Sequence, residues 1–189
     1  MRILHITDCL RGGGIQNFLL SLLPEQVKQK NEVTLIVIEQ YDYDYCRHLD
    51  SVLTSNGVKV ICLNKAKHNK VSMLRTIIAC RSVIGKIRPN IVNTHGTMSH
   101  IYGAVSVIGK PFPQVITVHN APEPWPLSCK LLCNGKPLIF CSKSAFDMRQ
   151  QNASLMAAID NGISPEIVRS TDKVDLRQDL SLKPSDQVI

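Results

Sequence analysis

Aromatic residues are scarce in this chain. One Trp, four Tyr and four Phe make up 5% of it, too few for the stacking platforms that hold nucleic acids. No run approaches the ~20 apolar residues of a membrane-spanning helix. The opening stretch MRILHITDCL has only a short apolar part and meets Asp8 too early for a secretory signal. The seven cysteines contain no CxxC pair. Their number is odd, and Cys62, Cys80 and Cys141 fall inside apolar runs. That pattern predicts reduced thiols and a cytoplasmic location. Without G-x-S-x-G there is no nucleophile elbow. Without Lys-Ser/Thr after the glycine run there is no P-loop. Repeats, heptads and low-complexity stretches are also absent.

What is present suits one folded domain. The 189 residues are 44% hydrophobic and 20% charged, enough to build a substantial core and too apolar for disorder. Bases outnumber acids, 22 to 15, for a net charge of +7. Such a balance invites an anionic partner such as a membrane surface or a phosphate-bearing small molecule.

Strand and helix patterns alternate along the chain. RILHIT (2–7), EVTLIVIEQ (32–40), VKVICL (58–63), NIVNTH (90–95), PQVITVHN (113–120), KPLIFCS (136–142) and SLMAAIDNGIS (154–164) read as strands or strand ends. Between them, 14–30, the stretch ended by Asn56-Gly57, 67–88, the stretch after His95 and KSAFDMRQQ carry helical spacing. Continuous apolar strands joined by crossover helices predict an α/β, Rossmann-like, doubly wound parallel sheet of about seven strands with helices on both faces. The helix over 67–88 has bases at Lys67, Lys70, Arg75, Arg81, Lys86 and Arg88. Its apolar stripe, Val71, Leu74, Ile77, Ile78, Ile84 and Ile87, is expected to lie on the sheet. The alternative is contact with anionic lipid headgroups.

Candidate ligand-binding residues collect at strand ends. Gly12, Gly13 and Gly14 lie between the first strand and first helix, where bare backbone and a helix N-terminus could receive a diphosphate. The plainer alternative is a turn that needs positive φ. Strand four ends at His95 and Gly96, with His100 a turn further. Strand five ends at His119 and Asn120, before a loop with Glu123 and Trp125. Strand six ends at Ser142, Lys143 and Ser144. Histidines on neighbouring strand ends at the ligand edge can hydrogen-bond a sugar or phosphate, or move a proton. A metal set drawn from His95, His119, Cys129, Cys133 and Cys141 lacks ligand spacing, so no metal is expected. A nicotinamide-dinucleotide site fits poorly: Asn17 stands where the third glycine belongs, and the acid Glu39 lies too far along.

Taken in order, RILHIT, GGGIQNFLLSLL, EVTLIVIE, PNIVNTHG, QVITVHN, IFCSKS and AAIDNGIS resemble the N-terminal domain of a retaining glycosyltransferase of family 4, with the GT-B fold. The resemblance covers essentially the whole chain. It implies a sugar-nucleotide donor, a glycan or lipid-linked acceptor, a hexosyltransferase reaction of the kind used in polysaccharide biosynthesis, and no cofactor. It implies that Gly12, Gly13 and Gly14 face the donor diphosphate and that His119 stands near the donor sugar and reaction centre. Gln16, Asn17, His95, Gly96, Asn120, Ser142 and Lys143 would line the acceptor cleft. Gln16 and Asn17 depart from the acidic and basic pair common in the family. The expected division is a Rossmann-like domain over 1–165 and a linker over 166–189 that opens a second domain carrying most of the donor site. Residues 1–189 alone are then expected to be inactive, with an exposed cleft face open to self-association. A non-catalytic glycan- or anion-binding module is the alternative.

Overall fold

The computed structural model describes residues 1–66, 70–120, 125–149 and 152–162. The expected linker over 166–189 and the loop residue Glu123 lie outside these residues.

Strand β1 (Arg2–Thr7), helix α1 (Gly14–Lys28), β2 (Glu32–Glu39), α2 (Asp44–Ser55) and β3 (Lys59–Lys65) form the first half. The second runs α3 (Lys70–Ile87), β4 (Ile91–His95), α4 (Thr97–Val107), β5 (Gln114–Val118), α5 (Leu127–Cys133), β6 (Leu138–Phe140), α6 (Lys143–Asp147) and β7 (Met156–Ala158). The strands make one sheet in the order β3-β2-β1-β4-β5-β6-β7. Every pairing is parallel. The doubly wound, Rossmann-like architecture expected from the alternation is therefore what the chain adopts. Strand order reverses at β1 and β4, and ligands of such sheets bind outside the carboxyl ends of the strands at that crevice.

Period two along the strands feeds two cores. Leu35 and Val37 of β2 pack with Leu19 and Leu23 of α1 and Leu49 and Leu53 of α2. Leu4 and Ile6 of β1, with Ile36 and Ile38, face Cys80 and Ile84 of α3 and Tyr102 of α4. A third cluster joins Ile116, Val118, Leu138 and Phe140 to Trp125, Cys129 and Cys133. Helix α2 ends at Asn56, and Gly57 takes φ +81, the left-handed turn anticipated at that pair. Among the described residues, no helix is long and apolar enough to cross a membrane.

Two sequence readings need correction. The stripe expected to pin α3 to the sheet is shifted: Leu74 and Ile78 are each 61% exposed, while Thr76, Cys80 and Ile84 are buried. Ile77 and Ile87 are only partly covered. Arg81 also has a structural task, donating to the carbonyls of Ser106 and Ile108 at the C-terminal end of α4. The second correction is α5, a helix not anticipated in PLSCKLLCNG. Its Cys129 and Cys133 are fully buried, whereas Leu127 and Leu131 stand out in solvent. Two of its three leucines point away from the core while Leu132 and the thiols pack on it, so hydrophobicity gives little helical signal there.

Candidate functional site

The carboxyl ends of β1, β4, β5 and β6 lie side by side, because these strands are neighbours in the sheet. That edge brings together the glycine loop after β1, His95 at the end of β4, His119 just beyond β5 and Ser142 just beyond β6. Gly12, Gly13 and Gly14 are exposed. None is among the glycines with positive φ, and Gly13 is extended, at φ 165 and ψ 177. A left-handed turn therefore does not explain the run. A Cβ on Gly14 would meet nothing within 4 Å, and one on Gly13 would meet only Gln16 Oε1, at 2.9 Å. Helix α1 begins at Gly14 with no acidic side chain in its first turn, which leaves the positive end of its dipole uncompensated from within.

The loop is braced from below. The Gln16 carboxamide turns inward and donates to the Cys9 carbonyl at 2.9 Å. Arg11 bridges Glu39 at 2.6 Å and Asp42 at 2.8 Å, tying the β1 loop to the β2 loop. Glu39, the acid that a dinucleotide ribose would require, is thus held by Arg11. Asp8, just past β1, accepts from the Ser99 hydroxyl at 2.5 Å. Burial pushes its carboxyl up to about 6, against the pull of that hydroxyl and of the Ser99 and Met98 amides. A carboxylate thereby takes the amide end of α4. Gly96, with φ +98, makes room: a Cβ there would sit 2.7 Å from Asp8 Oδ2.

His95 and His119 are in direct contact, Nδ1 to Nε2 at 3.0 Å. His95 is fully buried, and burial together with its imidazole neighbours holds its pKa well below the ordinary value. His119 is half-buried, and burial lowers it to about 4. Both are neutral at physiological pH. The Phe18 ring covers them, its centroid 5.8 Å from His95 and 5.0 Å from His119. His100 lies on the opposite face of the sheet, with Nδ1 3.0 Å from Thr94 Oγ1 and its ring near Trp125. Asn17, Asn120 and Lys143 are exposed. Lys143 pairs with Asp147 at 3.0 Å. Ser142 caps α6, its hydroxyl accepting from the Ala145 amide at 3.0 Å. Cys129 and Cys133 face each other on α5, sulfurs 3.9 Å apart, with Cys133 Sγ 3.8 Å from the His100 carbonyl. Among the described residues, no three His, Cys, Asp or Glu side chains converge as metal ligands.

Sequence reasoning passed over Asp8, His5 and Gln26. His5 offered one signal, a polar residue in the middle of a buried strand, where an imidazole is costly unless hydrogen-bonded. Its Nε2 lies 2.9 Å from Gln26 Oε1.

A doubly wound parallel sheet with a glycine loop at its switch point defines a Rossmann-like domain. The sequence model of Glycosyltransferase Family 4 matches residues 12–167, and the chain belongs to that family. No curated protein matches it. Among solved structures it is similar in fold to HepE of Anabaena, crystallised with UDP and glucose, at a TM-score of 0.68 and 16% identity over 96% of this chain. A glycosyltransferase from Rickettsia africae gives a TM-score of 0.66 and 15% identity over 97% of the chain. MurG of Acinetobacter baumannii gives 0.60 and 12% over 86%. The chain spans about half the length of these proteins, 50%, 50% and 47% respectively.

Proposed function

We propose that the protein carrying this chain transfers a hexose from a nucleotide sugar to a glycan or lipid-linked acceptor with retained configuration, and that this chain is its acceptor-side half. The observation that carries the reading is the glycine loop. Its three glycines sit at the switch point, exposed, in backbone that any residue could adopt. Absence of side chains there suits the close approach of a diphosphate to the α1 amides. HepE, similar in fold, was crystallised with UDP-glucose, which supports a nucleotide-sugar donor. Catalysis would rest on positioning and on stabilising the departing diphosphate, with His119 at the reaction centre and His95, Asn120, Ser142 and Lys143 along the cleft. A second domain would supply most donor contacts, so residues 1–189 alone are inactive.

The basic surface supports peripheral contact with an anionic membrane on the cytoplasmic side, where a lipid-linked acceptor would lie. Met73, Leu74 and Ile78 are exposed beside Arg75 and Arg81.

The test uses the protein that contains this chain together with a second Rossmann-like domain. It is incubated with a panel of nucleotide sugars and candidate acceptors, release of nucleoside diphosphate is followed, and the anomeric configuration of the product is read by NMR. Acceptor-dependent release with retention is the expected result. No release from any donor, together with no binding of nucleoside diphosphate, would leave the binding-module reading in its place.

A further inference from the structure

Three buried or half-buried imidazoles form one line across the α1 side of the sheet. His5 Nε2 meets Gln26 Oε1 at 2.9 Å. His5 Nδ1 meets His95 Nε2 at 2.9 Å. His95 Nδ1 meets His119 Nε2 at 3.0 Å. His119 Nδ1 meets Cys141 Sγ at 3.3 Å. Every ring nitrogen of the three is engaged.

A neutral imidazole has one donor and one acceptor. In such a line the direction of one link therefore fixes all the others. Gln26 presents its carbonyl oxygen, which only accepts, so His5 donates from Nε2 and its Nδ1 is a lone pair. His95 must then donate from Nε2 to His5, and His119 from Nε2 to His95. His119 Nδ1 is left as a lone pair facing the Cys141 thiol. The far end agrees: a thiol sulfur is a weak acceptor, whereas an imidazole nitrogen accepts well, so the S–H donates. Burial keeps His5, His95 and His119 in the neutral state that such a chain requires.

We propose that Gln26 and His5 are positioning residues that lock His119 as its Nε2–H tautomer, so that His119 can meet a ligand only as a hydrogen-bond acceptor at Nδ1. The Cys141 thiol holds that lone pair until a hydroxyl of the ligand replaces it. S–H to nitrogen is the weakest link of the line, and a sugar hydroxyl is a stronger donor. The ligand class that fits is one that offers an O–H to this nitrogen; a ligand presenting only acceptors, such as a carboxylate, does not fit. The functional part rests on the reading of His119 as a cleft residue. The tautomer itself does not.

The experiment labels the histidine ring nitrogens of the chain isotopically and reads each tautomer from long-range proton–nitrogen couplings at neutral pH. Expected are three Nε2–H rings at His5, His95 and His119. In Gln26→Lys the ammonium can only donate, and all three rings should turn to Nδ1–H together. Cys141→Ala should move the His119 Nδ1 resonance and leave every tautomer in place. A His119 found as Nδ1–H in the unmodified chain overturns the proposal. So does a Gln26→Lys variant that changes His5 alone. If that variant does not fold, Gln26→Glu, whose ionised carboxylate only accepts, must keep all three rings as Nε2–H wherever His5 stays neutral, and a His95 or His119 that turns to Nδ1–H beside a neutral His5 overturns it. None of these spectra depends on sugar transfer, so failure of the lock is distinct from failure of the transferase reading.

Discussion

Asp8 and Ser99 stand 91 positions apart in sequence, and the carboxylate of one accepts the hydroxyl proton of the other at 2.5 Å. The contact ties the loop after β1 to the first turn of α4, across the crevice where the strand order reverses. Gly96 is its precondition, because its positive φ and missing side chain admit Asp8 Oδ2. Gly96→Ala should therefore lose about 1–3 kcal/mol from the strained backbone alone. Ser99→Ala should lose about 1–3 kcal/mol, since it leaves a buried carboxylate short of a donor. Urea unfolding of both variants measures this. An unchanged midpoint for Ser99→Ala would show that Asp8 does not take the α4 terminus in solution.

Acid should unfold this protein early. Burial lowers His5 to about 4 and His100 to about 3, while the unfolded chain takes up those protons near the ordinary value of about 6.5. Below that pH the unfolded state binds more protons, so stability is complete above about 6.5 and falls as pH drops toward 4. For fully buried His5 alone the loss is about 3 kcal/mol, a large share of the stability of a domain this size. Asp8 works the other way. Its raised carboxyl takes its proton in the folded state first, which adds stability as pH falls from about 6. Asp8→Asn should accordingly steepen the acid transition. Trp125, buried and beside His100, is the only tryptophan, and its emission reports the unfolding. A stability that rises between pH 7 and pH 5 would show that the histidines are not held neutral.

The glycine loop should separate stability from activity. Gly14 opens α1 in backbone that alanine can adopt, with open space beside it. Gly14→Ala should then hold or raise stability by up to about 1 kcal/mol through helix propensity. In the two-domain protein the same methyl would stand where the diphosphate is proposed to lie, and nucleotide-sugar turnover should fall by tenfold or more, about 1.4 kcal/mol of transition-state stabilisation. Thermal unfolding and the rate of diphosphate release measure the two sides. Undiminished turnover would remove Gly14 from the donor site.

The sheet could be read from sequence because its central strands are buried on both faces. In EVTLIVIE six consecutive residues are buried, and such runs leave little choice of structure. The placement of His95, His119 and Ser142 at one edge followed from that topology. What stayed hidden depends on how surfaces meet. Helix α5 shows Leu127 and Leu131 to solvent and its cysteines to the core, which runs against the pattern a reader looks for. On α3 the choice between Leu74 and Cys80 as the inward residue was made by the neighbouring α4. The role of His5 lies in hydrogen bonds between strands, which no spacing along one strand can show.

The exposed side of α3 distinguishes packing from surface binding. Ile84 is fully buried against β1 and α4, and Ile84→Ala should lose about 2–4 kcal/mol. Leu74 and Ile78 lie one turn apart on the opposite side and touch neither core, so replacing both with Asp should shift stability by less than about 1 kcal/mol. If this face meets an anionic membrane, as proposed, the same double variant should cease to sediment with phosphatidylglycerol vesicles. The unmodified chain should bind them and be released by salt, because each base near the surface contributes about 1 kcal/mol of screened attraction. Binding that survives both substitutions would move the membrane contact to another face. No binding by the unmodified chain would overturn the membrane reading of α3.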